Sequence, residues 1–411
     1  MATCTSVLLD LVLPYLLGPP PPPLTRPSSR YSILLKLSLL CRSIHTYIEP
    51  LLYSNIYIAA GDSQLIPLLR TLASKPKAFS NQIKKLSFVS RHKEPERWSL
   101  EKATTVVAYC CQLEELVVAI PTIFGLQADF LETRSLSHLV SLTLATPLRP
   151  FSPSLGSRSP FPPAFTLTTL SLLPPFTSSF SISYKPTFKY LLLPHPDGSS
   201  TCSLSKLVNL NLCDTSRKHP ITIPPTLARI VSSTLATLLL PRFTHQHIYG
   251  SSYPLVENST ETTTNNQAEF ELSPRFSCDP PLNFHPTRKF LEELINSGNE
   301  SLKWVFVDRG LGHLGVLHHL PKNVEYLVLG PSRIPFPRPG EGEGARRVEE
   351  LEELKCSLTN TNARLREIGI FFKKERKLGK EERDFLRGLV EEVVREVEEV
   401  REGCRVQVRW I

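Results

Sequence analysis

No Cys-x-x-Cys pair occurs in this 411-residue sequence, although it contains nine cysteines, two of them adjacent at Cys110–Cys111. The spacing offers no disulfide framework. An odd count in so large a chain favours reduced thiols in an intracellular compartment, cytoplasmic or nuclear. The apolar run Val7–Leu17 is too short to span a bilayer. It also lacks the basic flank and small-residue cleavage site of a secretory signal, carries Asp10 and Pro14, and runs into prolines. Without secretion, the acceptor triplets at Asn258 and Asn299 carry no meaning. The sequence has no Gly-x-Ser-x-Gly elbow, His-Glu-x-x-His pair or phosphate-cradling Gly-x-x-x-x-Gly-Lys-Ser/Thr loop. Nor does it have a basic block interleaved with aromatics. The net charge of +8 is spread over residues such as Arg26, Arg30, Lys75, Lys84 and Arg91. A solvated surface is expected, with no nucleic-acid partner and no membrane partner.

Proline, by contrast, is abundant: 37 residues, about twice the usual frequency of ~5%. Strand-ending turns and long loops follow from that excess. Around them recurs one short pattern, clearest in Leu204–Asp214, where Leu207-x-x-Leu210-x-Leu212 alternates with Asn209 and Asn211. Period-two alternation describes a strand with one face to a core and the other to solvent. A single strand of this kind cannot bury its apolar face alone, but a stack can.

Variants begin at Ile83-x-x-Leu86-x-Phe88 and continue at Leu113, Leu139, Leu167, Leu207, Leu235, Leu302, Val324 and Leu365. From Leu86 the central positions Leu116, Leu142 and Leu170 follow at steps of 30, 26 and 28 residues. These steps lie near the ~20–29 residues of a leucine-rich repeat. The longer step from Leu170 to Leu210 has room for a degenerate unit around Phe188–Leu193. Helices are expected at Ser63–Ser74, Trp98–Cys110, Phe290–Ser297 and Leu311–Leu320. Residues 149–163 and 244–286 are expected as extruded loops, with Pro335–Gly344 a third breaker. The asparagine usual in such repeats is mostly missing. Lys380–Glu402 predicts an amphipathic helix with Leu386, Val390, Val393, Val397 and Val400 on one face. It is either a coiled-coil seam or a cover on the last repeat, with Arg405–Ile411 as a closing strand.

The N-terminal part reads differently. After Val7–Leu17, a short apolar helix, Pro19–Pro23 makes an extended spacer or a polyproline ligand. Ser32–Glu49 predicts one helix capped by Ser32 and ended by Pro50. Its stripe of Ile33, Leu37, Leu40, Ile44 and Tyr47 is flanked by Leu35 and Leu39, so few polar positions remain. A helix this apolar needs cover on two sides.

The stretch Leu34–Ile58, LLKLSLLCRSIHTYIEPLLYSNIYI, resembles the second half of an F-box, with Val7–Leu17 in the place of the first F-box helix. It departs from that family in having no Leu-Pro-x-Glu opening, in Ile44 where an aromatic is common, and in its long proline-rich loop. The resemblance implies docking onto a Skp-type adaptor of a cullin–RING ubiquitin ligase, with Leu9, Leu13, Leu35, Leu39 and Leu40 as adaptor contacts. A plain helical cap on the repeats is the alternative.

Two further patterns suggest chemistry. Gly310-x-Gly312-x-x-Gly315 follows a strand-like segment, as in a dinucleotide site, but Asp308 and Arg309 intervene and no acidic ribose ligand follows. A glycine-rich repeat turn is the better reading. His245, His247, His318 and His319 lack ligand-spaced partners, so surface histidines are expected.

The expected architecture is α/β: a short helical F-box-like module (1–60), an irregular leucine-rich-repeat-like solenoid with a parallel sheet (61–376), and a C-terminal helix and strand (377–411). The expected role is the substrate-recognition subunit of an SCF-type ligase, not an enzyme and with no cofactor. It would bind an unknown protein target through positions such as Asn209, Asn211, Asp214 and Asp308. A repeat scaffold with no ubiquitin role is the second expectation, and an enzyme using the Gly310–Gly315 turn the third.

Overall fold

Each apolar–polar alternation in the C-terminal three-quarters of the chain becomes one strand of a single sheet in a computed structural model. The structure describes residues 12–13, 16–17, 28–59, 61–74, 79, 81–90, 98–120, 126, 130–149, 162–173, 184–195, 201–212, 223–240, 286–307, 314–332, 344–361, 363–372 and 380–410. The strands are β1 (Asn55–Ile58), β2 (Lys85–Val89), β3 (Glu115–Ala119), β4 (Ser141–Leu144), β5 (Thr169–Leu172), β6 (Asn209–Leu212), β7 (Thr237–Leu240), β8 (Trp304–Val307), β9 (Tyr326–Ser332), β10 (Glu367–Phe372) and β11 (Arg405–Trp410). All 11 pair in sequence order, and every pair is parallel.

The register aligns the repeated pattern. Leu86 stands opposite Leu116, and the row continues through Leu142, Leu170, Leu210, Leu238, Val305, Leu327 and Ile368. Ile56 extends it before Leu86, and Val406 after Ile368. The sheet therefore begins inside residues 1–60 and ends inside residues 377–411. A slip of one residue in any pair would turn that strand's leucines to the wrong face, so burial of this row specifies the pairing.

Parallel neighbours cannot be joined by a tight turn, and each pair needs a crossover. Here the crossovers contain the helices Asp62–Ser74, Leu100–Tyr109, Lys185–Leu191, Pro225–Val231, Pro286–Asn296, Gly344–Thr359 and Lys380–Val400, with 3-10 turns at Arg134–His138 and Leu314–His319. Buried helix residues such as Leu65, Val106, Leu227, Phe290 and Leu354 share one core with the strand leucines. Fully burying each such side chain contributes about 1.5–3 kcal/mol. The degenerate unit allowed for around Phe188–Leu193 adds no strand to the sheet: β5 pairs directly with β6, and Phe188, Tyr190 and Leu191 are buried in the Lys185–Leu191 helix. Pro186 in its first turn favours that helix start.

Beyond the strands, buried polar groups fasten the units. The Tyr184 hydroxyl meets the carbonyls of Leu144 (3.0 Å) and Leu173 (2.5 Å), joining the ends of β4 and β5. Asn299 donates to the Ser232 carbonyl and accepts from the Leu302 amide, and Asn323 donates to the Leu302 carbonyl. The asparagines thus precede their strands, where the expected ladder would follow them. The Lys380–Val400 helix covers the last units: Val390, Val393 and Val397 are buried, and only Val400 of the stripe's described residues lies exposed. Arg401, just beyond it, donates to the carbonyls of Leu358, Thr359, Thr361 and Ala363, closing the end of the Gly344–Thr359 helix.

At the N-terminus the predicted single helix is two. Ser28–Ser38 and Arg42–Ser54 are separated by a turn in which Leu39 and Leu40 donate back to Lys36 and Leu37. Cys41 is extended, at φ −160°. Pro50 does not end the second helix but lies inside it, between the buried Ile48 and Leu52 that anchor its inner side. Of Val7–Leu17, the described residues 12–13 and 16–17 are helical. Leu13, Leu34, Ile48 and Leu52 form a small cluster of their own.

Leu210→Ala should lower stability by about 3 kcal/mol, because it empties a fully buried site. Asn211→Ala, one residue on, half-buried and facing the opposite way, should change it by less than about 1 kcal/mol. Denaturation midpoints of the two variants check this, and equal losses would refute the facing assigned to β6.

Candidate functional site

All-parallel sheets are usually covered on both faces. Here the helices and the aligned leucines share one face, and the opposite face divides in two. Toward the N-terminus it is itself buried: Val89, Val117, Ala119, Ala145 and Leu173 form a second cluster with Tyr57 against it. From β5 onward it opens. Thr169, Ser171, Asn209, Asn211, Thr237 and Leu239 are half-buried, and Trp304 is 47% exposed.

The open part changes character along the sheet. Asn209 donates to the Thr169 hydroxyl across the strand pair at 3.3 Å, whereas the buried Oδ1 of Asn211 has no hydrogen-bond partner among the described residues. Two strands on, Trp304 and Tyr326 stand opposite each other in register, with ring centroids 4.3 Å apart and planes 10° from parallel. At the strand starts beside them, Glu325 accepts from Lys303 at 2.9 Å and lies 3.3 Å from Arg366. The Lys303 bond, helped by the charges of Arg366 and Lys303, holds the Glu325 carboxyl below the usual carboxylate range. Ion pairs elsewhere join adjacent units in the same way, Lys84 with Glu114 and Lys85 with Glu115.

A second candidate surface is the N-terminal helix pair. Leu35, Leu39 and Leu40 are 47%, 79% and 67% exposed, and Tyr31 and Leu51 lie exposed on the same pair. Single exposed leucines need no explanation, but three within six positions, two of them in a turn, form a patch. Leu13 is not part of it: at 5% exposure it fills the interior between the helices, where contact with a partner is closed to it.

Of the other expected contacts, Asn209 and Asn211 lie on the open face, while Leu9, Asp214 and Asp308 fall outside the described residues. Trp304 and Tyr326 were missed, although the signal was present. Both are large aromatics at solvent-facing positions of the strand pattern, next to Val305 and Leu327.

The chemistry-bearing patterns fare as follows. Residues 308–313 lie outside the described set, and Gly315 falls in a 3-10 turn, Leu314–His319, so the described residues of the motif present no α-helix N-terminus to a pyrophosphate. His319 lies 3.6 Å from Glu292, and His318 is exposed. Among the described residues, no three histidines, cysteines or carboxylates gather at a metal-holding distance. No helix among them is long and apolar enough to cross a membrane. Asn299, one of the acceptor triplets, is buried with its amide bonded.

Burial pushes the Cys110 thiol up to about 12, with Cys111 adding to the shift, and it also raises Cys202 and Cys404. These thiols are therefore protonated at neutral pH, and they are shielded as well. At pH 8, iodoacetamide should label Cys41, Cys111 and Cys356 in the folded chain and spare Cys110, Cys202 and Cys404 until denaturant is added. Peptide mass spectrometry reads the difference, and early labelling of Cys110 would contradict it. No protein-family model matches the chain, and no curated protein matches it.

Proposed function

We propose that this chain is the substrate-recognition subunit of an SCF-type cullin–RING ubiquitin ligase. On this reading the N-terminal helix pair is an F-box-like module docking on a Skp-type adaptor. The rest is an irregular solenoid of leucine-rich-repeat type that holds a protein target. The observation that carries the proposal is the exposed apolar patch of Leu35, Leu39 and Leu40 on a helix pair whose own small cluster is already filled by Leu13, Leu34, Ile48 and Leu52. The sequential order of the parallel strands and the half-open sheet support the second half of the reading. The chain itself performs no bond chemistry. It speeds transfer by holding target and ligase together, converting a bimolecular encounter into a local one.

Adaptor binding should place the patch under cover. Leu35→Asp with Leu39→Asp alters only exposed positions, so the fold should survive with little change in stability. The same pair sets two charges in the dry centre of the contact, where unpaired charge is costly. The full-length wild-type chain should co-purify with a Skp-type adaptor, and the double variant should lose at least about tenfold in affinity, roughly 1.4 kcal/mol. A wild-type chain that ignores the adaptor, or a double variant that binds it equally well, would refute the proposal. The first outcome would leave a repeat scaffold with no ubiquitin role.

A further inference from the structure

If the open face receives a target, as proposed above, its C-terminal end determines which side chain is received. Thr237, Trp304, Tyr326, Glu367 and Arg405 occupy one register position on β7 to β11. Trp304 lies flat against one side of Tyr326, so the other side of that ring looks toward β10 and Glu367. Two residues along, Val328, Gly369 and Gln407 make the next row. Gly369 places no side chain between its neighbours. A cleft of about 180 Å³ opens there, lined by Trp304, Tyr326, Val328, Glu367, Gly369 and Gln407.

Its size and lining narrow the occupant. Small-molecule sites enclose roughly 300–1,000 Å³, so this cleft suits one inserted side chain better than a cofactor. The floor is apolar and one wall aromatic. At the rim, Glu367 accepts one hydrogen bond among the described residues, from Gln407 at 2.8 Å. Among the described residues it makes no ion pair, and its register neighbour Arg405 is exposed and not paired with it. Glu325, one residue before Tyr326, is by contrast already engaged by Lys303 and Arg366. A carboxylate with unused acceptor capacity beside an aromatic ring selects a planar cation on an apolar stem. The guanidinium of arginine stacks on such a ring and forks onto the carboxylate, whereas a lysine ammonium can do only part of this.

We propose that this cleft binds an arginine side chain of the target protein, stacked on Tyr326 and paired with Glu367. The chain's three tryptophans, Trp98, Trp304 and Trp410, make the site observable. In full-length protein labelled with 5-fluorotryptophan, Trp304→Phe identifies the Trp304 fluorine signal. Nα-acetyl-arginine methylamide should then shift that signal saturably, while the neutral isostere Nα-acetyl-citrulline methylamide should bind at least about fivefold more weakly. Glu367→Gln should lose the arginine preference, and Tyr326→Leu should lose the response as a second, independent variant. Thermal unfolding confirms that each variant is folded.

No Trp304 shift at tens of millimolar arginine amide would overturn the proposal, as would equal responses to arginine and citrulline. The measurement uses the chain without adaptor. Failed adaptor binding and a failed arginine response are therefore separate results.

Discussion

The structure depends on the contact between one row of aligned apolar residues, running from Ile56 to Val406, and the helical crossovers laid over it. A short parallel strand held only by its slanted backbone bonds would not persist alone. Leu86, Leu116, Leu142, Leu170, Leu210 and Leu238 lose all contact with water once neighbouring units are stacked. The same burial specifies register, because a slip by one residue would exchange leucine for serine, threonine or asparagine on the inner face. Stability is therefore shared between neighbours, and the two ends, each with one neighbour fewer, need covering.

The ends are covered differently. At the C-terminus, the Lys380–Val400 helix buries three valines, and Arg401 answers four carbonyls at the end of the preceding helix. Lys355 pairs with Glu352 on its own helix and reaches Glu396 on the Lys380–Val400 helix, joining the two, and both bonds raise its affinity for a proton. At the N-terminus, the helix pair closes over its own four-residue cluster and leaves leucines in the turn facing outward. Both arrangements leave some apolar surface exposed, Phe385 and Val400 on the C-terminal helix and Leu35, Leu39 and Leu40 on the N-terminal pair. The proposed adaptor site is assigned to the second, where three exposed leucines lie within six positions of one another.

Functional detail follows from the other face. Where Val89, Val117 and Ala145 occupy it, the face is buried. Where threonine, asparagine and then Trp304 and Tyr326 occupy it, it is open. A polar and aromatic surface on a rigid sheet can hold groups in position without rearrangement, which lowers the entropic cost of binding.

The alternation of leucines was legible in the sequence because strand periodicity is local, and all nine central positions assigned from Leu86 to Ile368 lie in one register. The flank of Leu35 and Leu39 was legible for a similar reason, since a helix with too few polar positions needs a partner. Local pattern failed where a neighbour decided. Pro50 looked like a helix end but is held within a helix by Ile48 and Leu52, and the stretch around Phe188, where the spacing left room for another repeat unit, forms a crossover helix and no strand. Leu13 and Leu35 were indistinguishable by composition, yet one fills a cluster and the other faces outward. By itself, then, the sequence determined that the chain builds short strands with one apolar side. Only the tertiary structure decided which strands neighbour each other, which half of the sheet stays open, and that Gly369 leaves a cleft beside Tyr326 and Glu367. Those features arise between residues well apart in the chain, from Trp304 and Tyr326 to Tyr326 and Glu367, and no local spacing encodes them.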